Sequence, residues 1–170
     1  YACGALSAVV LKTVDGGATW SSIAVTGTNA RYGITYTNGS NVWICGTSGN
    51  IISTTNGGTS WTTVTVTGSP TQYDIIRVGT DLWTFSSSNG LYKSTDNGAT
   101  FALVFDNGSR AIYQASVFGS SSFMCVGVDG LNYRTTNGGT TFDSTALTLF
   151  TGQTSRSVYM KSASDIIVGS

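Results

Sequence analysis

Short segments of alternating hydrophobic and polar residues follow one another along the chain, and each is bounded by a turn signal. In Arg31–Trp61, YGITY alternates, VWICG is more apolar, IISTT alternates again, and TSWTTVTV closes the unit. The signals between them are TNGS, TSGN and NGG. Alternation with a period of two is typical of β-strands, and Asn–Gly pairs are typical of tight turns. This unit is therefore predicted to form four consecutive antiparallel strands.

The same plan recurs along the chain. The phrases that join the third and fourth strands are KTVDGGATW, STTNGGTSW, KSTDNGATF and RTTNGGTTF. Their central residues Asp15, Asn56, Asp96 and Asn137 lie 41, 40 and 41 residues apart. A constant period near 40 residues indicates radial repetition, with one small sheet per repeat. The sequence therefore predicts one all-β domain over residues 1–170, a β-propeller of four-stranded antiparallel blades.

The repeated phrase has the chemistry of a tight turn. Its glycines permit positive φ, and the Asp or Asn oxygen can accept backbone N–H bonds inside the turn. The Ser or Thr two places earlier can do the same, and the closing Trp or Phe is expected to pack into the blade. The residues predicted to have this structural role are Asp15, Trp20, Asn56, Trp61, Asp96, Phe101, Asn137 and Phe142.

The phrase S/T-x-D-x-G-x-T-W/F resembles the Asp-box, also called the bacterial neuraminidase repeat. Asp-boxes occur in β-propellers such as sialidases, sortilin-type receptors and the photosystem II assembly-factor propellers. The whole unit is most similar to the assembly-factor type, and the resemblance covers essentially the full chain. It implies a propeller fold strongly and an activity weakly, because the box in these families is a structural turn.

The number of blades stays open at this point. The final segment, RSVYMKSASDIIVGS, supplies a first strand and most of a second, while the opening segment begins within a second strand, with Tyr1 aligned on Trp43. Either the two ends complete one mixed blade and the ring closes at four, or the chain is a four-repeat part of a larger ring. Because related propellers usually carry more blades, we favour the second alternative.

The composition excludes several kinds of chemistry. Only 9% of the 170 residues are charged, Lys and Arg balance the acids at eight each, and the chain has neither His nor Glu. The lack of His excludes Ser–His and Cys–His nucleophiles and His-ligated metals, so we expect no cofactor and no metal. The balanced charge indicates no nucleic-acid partner, and no apolar run is long enough for membrane insertion. The three cysteines are expected to be buried thiols.

One set of residues has no role in the predicted turns. Arg31, Arg110 and Arg156 precede the first strands in ARYGITY, SRAIYQA and SRSVYM, and Gln72 holds this place in TQYDII. In a propeller, loops that enter the first strands surround one mouth of the central channel. The set therefore suggests a site for an anion or an acidic glycan, since guanidinium groups bind carboxylate, phosphate and sulfate. The alternative is that each Arg pairs with a backbone carbonyl or with an Asp of the neighbouring blade.

The residue chemistry favours a binding role over catalysis. A sialidase-like glycosidase resembles this chain in its boxes, but that family needs a Tyr with a Glu partner and an Asp acid, and the chain has no Glu. We therefore expect a non-catalytic binding or assembly module with a protein or glycan partner, which could be part of a larger complex. A structural subunit of a virion, fibre or filament is the alternative. Low charge and a Ser/Thr/Asn/Gly surface suggest an extracellular, cell-surface or virion location.

Overall fold

A computed structural model describes residues 1–4, 8–144 and 152–170. Its strands are short, and the two helical elements are single 3₁₀ turns at Thr47–Gly49 and Val128–Gly130. The described part of the chain contains no helix long and apolar enough to cross a membrane. The strands are β1 (Val9–Lys12), β2 (Ser21–Ala24), β3 (Arg31–Asn38), β4 (Asn41–Gly46), β5 (Asn50–Thr54), β6 (Thr62–Thr65), β7 (Gln72–Val78), β8 (Asp81–Ser86), β9 (Leu91–Ser94), β10 (Ala102–Phe105), β11 (Ile112–Phe118), β12 (Ser122–Gly127), β13 (Asn132–Thr135), β14 (Ser157–Met160) and β15 (Ile166–Gly169).

Consecutive strands pair into separate antiparallel sheets, which we call blades 1 to 5. Blade 2 is β3–β6 and blade 3 is β7–β10, each in sequence order. Blade 4 is β11–β13, to which a bridge between Arg134 and Asp143 adds the start of a fourth strand. Blade 1 is β1–β2 with a bridge from Ala2 to Leu11, and blade 5 is β14–β15. The predicted all-β fold of antiparallel blades, with the boxes between third and fourth strands, is confirmed.

The first strands of successive blades lie side by side. β3 packs against β7, β7 against β11, and β11 against β14. In blade 1, Ala2 pairs with Leu11 as Ile44 pairs with Ile52 in blade 2. Tyr1 therefore has the position of Trp43. Within the described residues, β14–β15 form a sheet of their own rather than completing the sheet of β1–β2. The described blades thus form an open arc and not a closed four-blade ring.

The hydrophobic core lies between blades rather than inside any one of them. Second strands are the most buried elements, and their tryptophans Trp43 and Trp83 are almost fully enclosed. Each tryptophan packs on the box glycine of the next blade: a Cβ at Gly98 would lie 2.6 Å from Trp43 Nε1, and one at Gly139 would overlap the Trp83 ring. Trp43 Nε1 also donates to the carbonyl of Asn97 at 3.1 Å. The boxes therefore connect neighbouring blades as well as closing their own turns.

Candidate functional site

The Asp-boxes use their polar side chains inside the turn. Asp96 Oδ1 accepts from Ser94 Oγ at 2.7 Å and from the Thr100 backbone N–H at 2.9 Å, and its Oδ2 accepts from Thr100 Oγ1 at 2.5 Å. Ser94 Oγ in turn accepts the Gly98 N–H at 2.8 Å. Asp15 makes the same bonds with Thr13 and Thr19. Both carboxylates are thus occupied by the turn that they close.

These hydrogen bonds keep the two box carboxylates ionised. The pKa values of Asp15 and Asp96 are each lowered to about 2, chiefly by the hydroxyl of Thr19 or Thr100 and then by the backbone N–H of the same residue. Hydrogen bonds donated to a carboxylate favour its charged form. The boxes therefore hold no carboxyl group that could act as an acid near neutral pH.

The Asn-boxes reverse one of these bonds. Asn56 Oδ1 accepts from the Ser60 N–H at 2.9 Å, but Asn56 Nδ2 donates to Ser60 Oγ at 2.8 Å. Asn137 makes the same pair of bonds with Thr141, at 3.0 and 2.9 Å. The hydroxyl accepts here, whereas in the Asp-boxes it donates. Asn therefore replaces Asp by donating through its amide nitrogen as well as by accepting through its oxygen. The donation by the amide nitrogen was not predicted from the sequence.

Two of the four residues predicted to bind an anion are buried and hydrogen-bonded. Arg31 is 2% exposed, and its Nη2 and Nη1 donate to the Thr26 carbonyl at 2.8 Å and to Asn50 Oδ1 at 3.2 Å. Burial lowers the pKa of its guanidinium. Gln72 is fully buried, donates to the Pro70 carbonyl at 3.1 Å and accepts from Thr84 Oγ1 at 3.0 Å. Both side chains stabilise the entry to a first strand.

The other two, Arg110 and Arg156, are exposed. The sequence predicts that Arg110 is equivalent to Arg31 and Gln72, but the strand pairing shows that it is not. Ile112 has that position, because it pairs with Gly127 as Arg31 pairs with Gly46. Arg156 directly precedes β14, and its guanidinium lies over the Tyr113 ring, 4.8 Å from the centroid. The structure divides the set into two buried and two exposed members, and anion binding by all four stays a prediction.

A row of tyrosines leads to Arg156. Tyr32, Tyr73 and Tyr113 each lie at a β-bulge near the start of a first strand. Their ring centroids are 5.6 and 4.9 Å apart, distances at which aromatic rings attract one another. We call these three residues with Arg156 the tyrosine row. The row was not predicted from the sequence, although a Tyr follows directly after Arg31, Gln72 and Ile112.

The tyrosine row presents aromatic surface and one available cation. Tyr32 is 48% exposed and Arg156 is exposed. Among the described residues, the Arg156 guanidinium has the Tyr113 ring as its neighbour and no carboxylate within ion-pair distance. Burial raises the pKa of the Tyr73 hydroxyl, with smaller contributions from its neighbouring tyrosines. An arginine with unused donors beside stacked aromatic rings can bind a carboxylate or phosphate bidentately.

Below the tyrosine row, side chains of one blade accept backbone N–H groups of the next. Asp74 Oδ2 accepts the Ala115 N–H at 2.9 Å, and Gln114 Oε1 accepts the Val158 N–H at 2.9 Å. Ser116 Oγ accepts the Met160 N–H at 3.0 Å. These N–H groups lie on the free edges of the innermost strands, where they would otherwise lack a partner in the sheet.

The carboxylates give no support for catalysis by an opposed pair. Asp81 forms an ion pair with Lys93 at 2.8 Å, and Asp165 pairs with Lys161 at 3.4 Å. The box acids and Asp74 are engaged in the hydrogen bonds described above. Glycoside hydrolysis needs two carboxyl groups that face each other across a pocket. Among the described acids, the two box carboxylates, Asp74, Asp81 and Asp165 instead have structural partners.

Comparisons with known proteins agree with the fold. The model of the photosynthesis system II assembly factor YCF48 family matches residues 1–165. A search of curated proteins found no significant match. Among solved structures, the chain is similar to YCF48 bound to a D1 peptide, with 17% identity, a TM-score of 0.72, and coverage of 93% of this chain and 52% of that one.

Two further structures show the same likeness. YCF48 from Cyanidioschyzon merolae is 15% identical with a TM-score of 0.70, over 96% of this chain and 61% of that one. The GH74 enzyme of Niastella koreensis is 17% identical with a TM-score of 0.65, over 88% of this chain and 30% of that one. The chain thus spans little more than half the length of the two YCF48 structures, and at these identities the likeness is one of fold.

Proposed function

Because the chain belongs to the photosynthesis system II assembly factor YCF48 family, we propose that it is a non-catalytic assembly module that binds a protein segment. A YCF48 structure has been solved with a D1 peptide bound, which supports a protein partner for this chain. The absence of Glu and His, the turn hydrogen bonds of the box carboxylates, and the ion pairs of Asp81 and Asp165 support a role without catalysis.

The tyrosine row carries this proposal. It is a surface on which three successive blades contribute one aromatic ring each and a fourth element contributes a guanidinium with unused donors. The rings offer flat apolar area at a low entropic cost, and the guanidinium fixes the orientation of a carboxylate. We infer that the partner lies across the rings as an extended segment and places an acidic group at Arg156.

The contributions of the two exposed arginines can be separated. Arg156→Ala removes the cation from the tyrosine row, and a hydrogen-bonded charge of this kind contributes about 1.5–3 kcal/mol, which corresponds to a loss of affinity of roughly tenfold or more. Arg110→Ala removes the other exposed arginine of the set, which is not part of the row. The Arg110→Ala variant is the matched control, and its affinity for the peptide should equal that of the wild type.

The binding experiment uses a D1 peptide, a short acidic peptide and a sialylated oligosaccharide as separate probes in calorimetry. We expect at least one peptide to bind, Arg156→Ala to weaken it, and Tyr73→Ala to weaken it while the fold is retained. Binding of neither peptide, or equal affinities of the wild type and Arg156→Ala, would overturn the proposal. Binding of the oligosaccharide alone would replace the protein partner with an acidic glycan.

Two finer expectations accompany the proposal. The GH74 neighbour makes glycoside hydrolysis the enzymatic alternative, and turnover of a glycoside by the purified chain would establish it. An extracellular, cell-surface or virion location, and a structural role in a larger assembly, are supported only by low charge and a Ser/Thr/Asn/Gly surface. Fractionation of the producing cells tests the location directly.

A further inference from the structure

Asn–Gly pairs recur in the turns of this chain, and one of them has surroundings that differ from those of the others. The pairs begin at Asn38, Asn56, Asn89, Asn97, Asn107 and Asn137. In such a pair the glycine backbone nitrogen can attack the neighbouring side-chain amide, because both are held in one molecule and glycine has no Cβ to hinder the approach. The fold decides which of these pairs is free to react.

The pair Asn38–Gly39 lies at the exposed tip of the hairpin between β3 and β4. Asn38, Gly39 and Ser40 are all exposed. Among the described residues, neither the Gly39 N–H nor the side-chain NH₂ of Asn38 has a hydrogen-bond acceptor. Asn38 Oδ1, in contrast, accepts the backbone N–H of Ser40 at 3.1 Å and that of Asn41 at 3.0 Å. The attacking nitrogen and the leaving group are thus both free, while the carbonyl oxygen is held by two donors.

In four of the other pairs, the glycine N–H is already donated to a protein acceptor. The acceptors are the Ser40 and Ser121 carbonyls for Gly57 and Gly138, at 3.0 and 2.7 Å, Ser94 Oγ for Gly98 at 2.8 Å, and Asp106 Oδ1 for Gly108 at 2.9 Å. In the remaining pair, Gly90 is buried, and a Cβ there would lie 2.0 Å from the Phe105 carbonyl oxygen. A bonded or buried N–H cannot lose its proton to solvent until that contact has been broken.

A second copy of the same tripeptide provides a comparison within the molecule. Asn107–Ser109 and Asn38–Ser40 both read Asn-Gly-Ser. Asn107, however, is only 8% exposed, its Nδ2 donates to the Arg110 carbonyl at 2.7 Å, and its Oδ1 accepts the Arg110 N–H at 3.2 Å. Identical local sequences therefore differ in reactivity only through the turns in which the fold places them.

We propose that Asn38 is a site of spontaneous deamidation in the native protein. Solvent hydroxide takes the proton of the Gly39 N–H, and the nitrogen then forms a bond to Asn38 Cγ. The N–H groups of Ser40 and Asn41 face the oxygen on which negative charge collects in this step. The bond from Cγ to Nδ2 breaks, and the nitrogen leaves as ammonia after it takes a proton from water.

The product of this step is a five-membered succinimide, which water opens at either of its two carbonyl groups. Position 38 then carries an aspartate or an isoaspartate, and in sum one water molecule is consumed and one ammonia is released. Either product adds a negative charge to a chain whose formal net charge is zero. The proposal is independent of the function proposed for the tyrosine row.

Peptide mapping by mass spectrometry tests the proposal on the native wild type, which is incubated in a mildly alkaline buffer. We expect Asn38 to react before the other Asn–Gly pairs, and at least roughly tenfold faster than Asn107, which must first lose several hydrogen bonds. In guanidinium chloride the two Asn-Gly-Ser tripeptides should react at similar rates, because the fold no longer distinguishes them.

Gly39→Ala tests whether the Gly39 nitrogen is the attacking group. A Cβ at Gly39 meets nothing within 4 Å, and the backbone there is not in the left-handed region, so the variant should fold while the added methyl group slows the reaction of Asn38. Gly4→Ala is the matched control, since a Cβ at Gly4 also meets nothing within 4 Å, and its Asn38 should react at the wild-type rate.

Three results would overturn the proposal. They are a native wild type in which another Asn–Gly pair reacts first or none reacts, equal native rates at Asn38 and Asn107, and a Gly39→Ala variant whose Asn38 reacts as fast as that of the wild type. The comparison of Asn38 with Asn107 needs only the wild type and therefore does not depend on the folding of any variant.

Discussion

At the scale of single residues, the boxes are small hydrogen-bonded units in which the side chain of the central residue and the hydroxyl two places before it are both bonded inside the turn. The Ser or Thr two places before the central residue is as important as that residue, because its hydroxyl both donates to the central side chain and accepts a glycine N–H. The interchange of Asp and Asn works because the hydroxyl at the end of the turn can either donate or accept.

Ser94→Ala tests this unit. The change removes the donor to Asp96 and leaves the buried Gly98 N–H without its acceptor, so the free energy of unfolding should fall by about 1–2 kcal/mol. Chemical denaturation measures it. Ser120→Ala, at an exposed turn, is the control and should change little. Equal effects of the two substitutions would show that the box hydroxyl has no special role.

Exchange of Asp and Asn between boxes tests the acid response. The pKa of Asp96 is lowered to about 2, so its contribution to stability is present above the ordinary pKa near 3.8 and is lost as pH falls towards 2. Asp96→Asn should therefore stay folded and lose less stability on acidification across this range. Asn56→Asp should do the reverse. Melting temperatures measured at pH 5 and pH 2.5 check both, and parallel profiles for all three proteins would contradict the assignment.

At the scale of elements, the turn of one blade is a packing surface for the second strand of the blade before it. Gly98 and Gly139, which follow the central residues of their boxes by two, meet the rings of Trp43 and Trp83, so they are required by contact as well as by backbone conformation. This explains why Trp43 and Trp83 are the largest fully buried side chains. A single short phrase therefore connects local turn formation with the packing between blades.

A pair of adjacent glycines separates the two requirements. Gly138 and Gly139 both have positive φ, of +68° and +81°, but a Cβ at Gly138 meets nothing within 4 Å and one at Gly139 overlaps the Trp83 ring. Gly138→Ala should cost about 1 kcal/mol for the backbone, and Gly139→Ala about 2–4 kcal/mol because the ring must also move. Thermal and chemical denaturation measure the stabilities of the two variants. Similar losses would show that the Trp83 contact is unimportant.

At the scale of the whole molecule, the blades are joined by side chains that reach the edge of the next innermost strand. The acceptors at three such contacts are a carboxylate, an amide and a hydroxyl, on Asp74, Gln114 and Ser116. Because each contact involves one N–H, removal of one acceptor should weaken the structure only around that N–H. The arc is thus a series of joints of differing chemistry, one of which has a carboxylate acceptor.

Hydrogen-exchange rates of single amides can test each of these contacts separately. Gln114→Ala removes the acceptor of the Val158 N–H, so exchange of that amide should become faster, while the Met160 amide, held by Ser116, should change less. Ser116→Ala should give the opposite pattern. Mass spectrometry or NMR of the amides measures it, and uniform acceleration across blade 5 in both variants would indicate that the joints do not act separately.

The sequence predicted the blades and the positions of the boxes, whereas the anion site at the four first-strand positions stays a prediction. The alignment of Arg110 with Arg31 failed because it counted residues before a strand, whereas the pairing of Ile112 with Gly127 sets the true register. Pairing with a backbone carbonyl was the alternative given for Arg31, but its particular acceptors, the Thr26 carbonyl and Asn50, come from other segments and could not be read from the local pattern. The recurring Tyr was visible in the sequence but read as part of a strand.

The strand plan, the period and the turn chemistry follow from the sequence alone, because alternation and Asp-box hydrogen bonds involve residues only a few positions apart. The tyrosine row, the protected N–H groups and the bond from Asp74 to the next blade depend on the tertiary structure. They require residues about 40 positions apart in sequence to stand side by side, as Tyr32, Tyr73 and Tyr113 do. Radial packing brings them together, and no local pattern specifies which side chains it leaves exposed and which it removes from water.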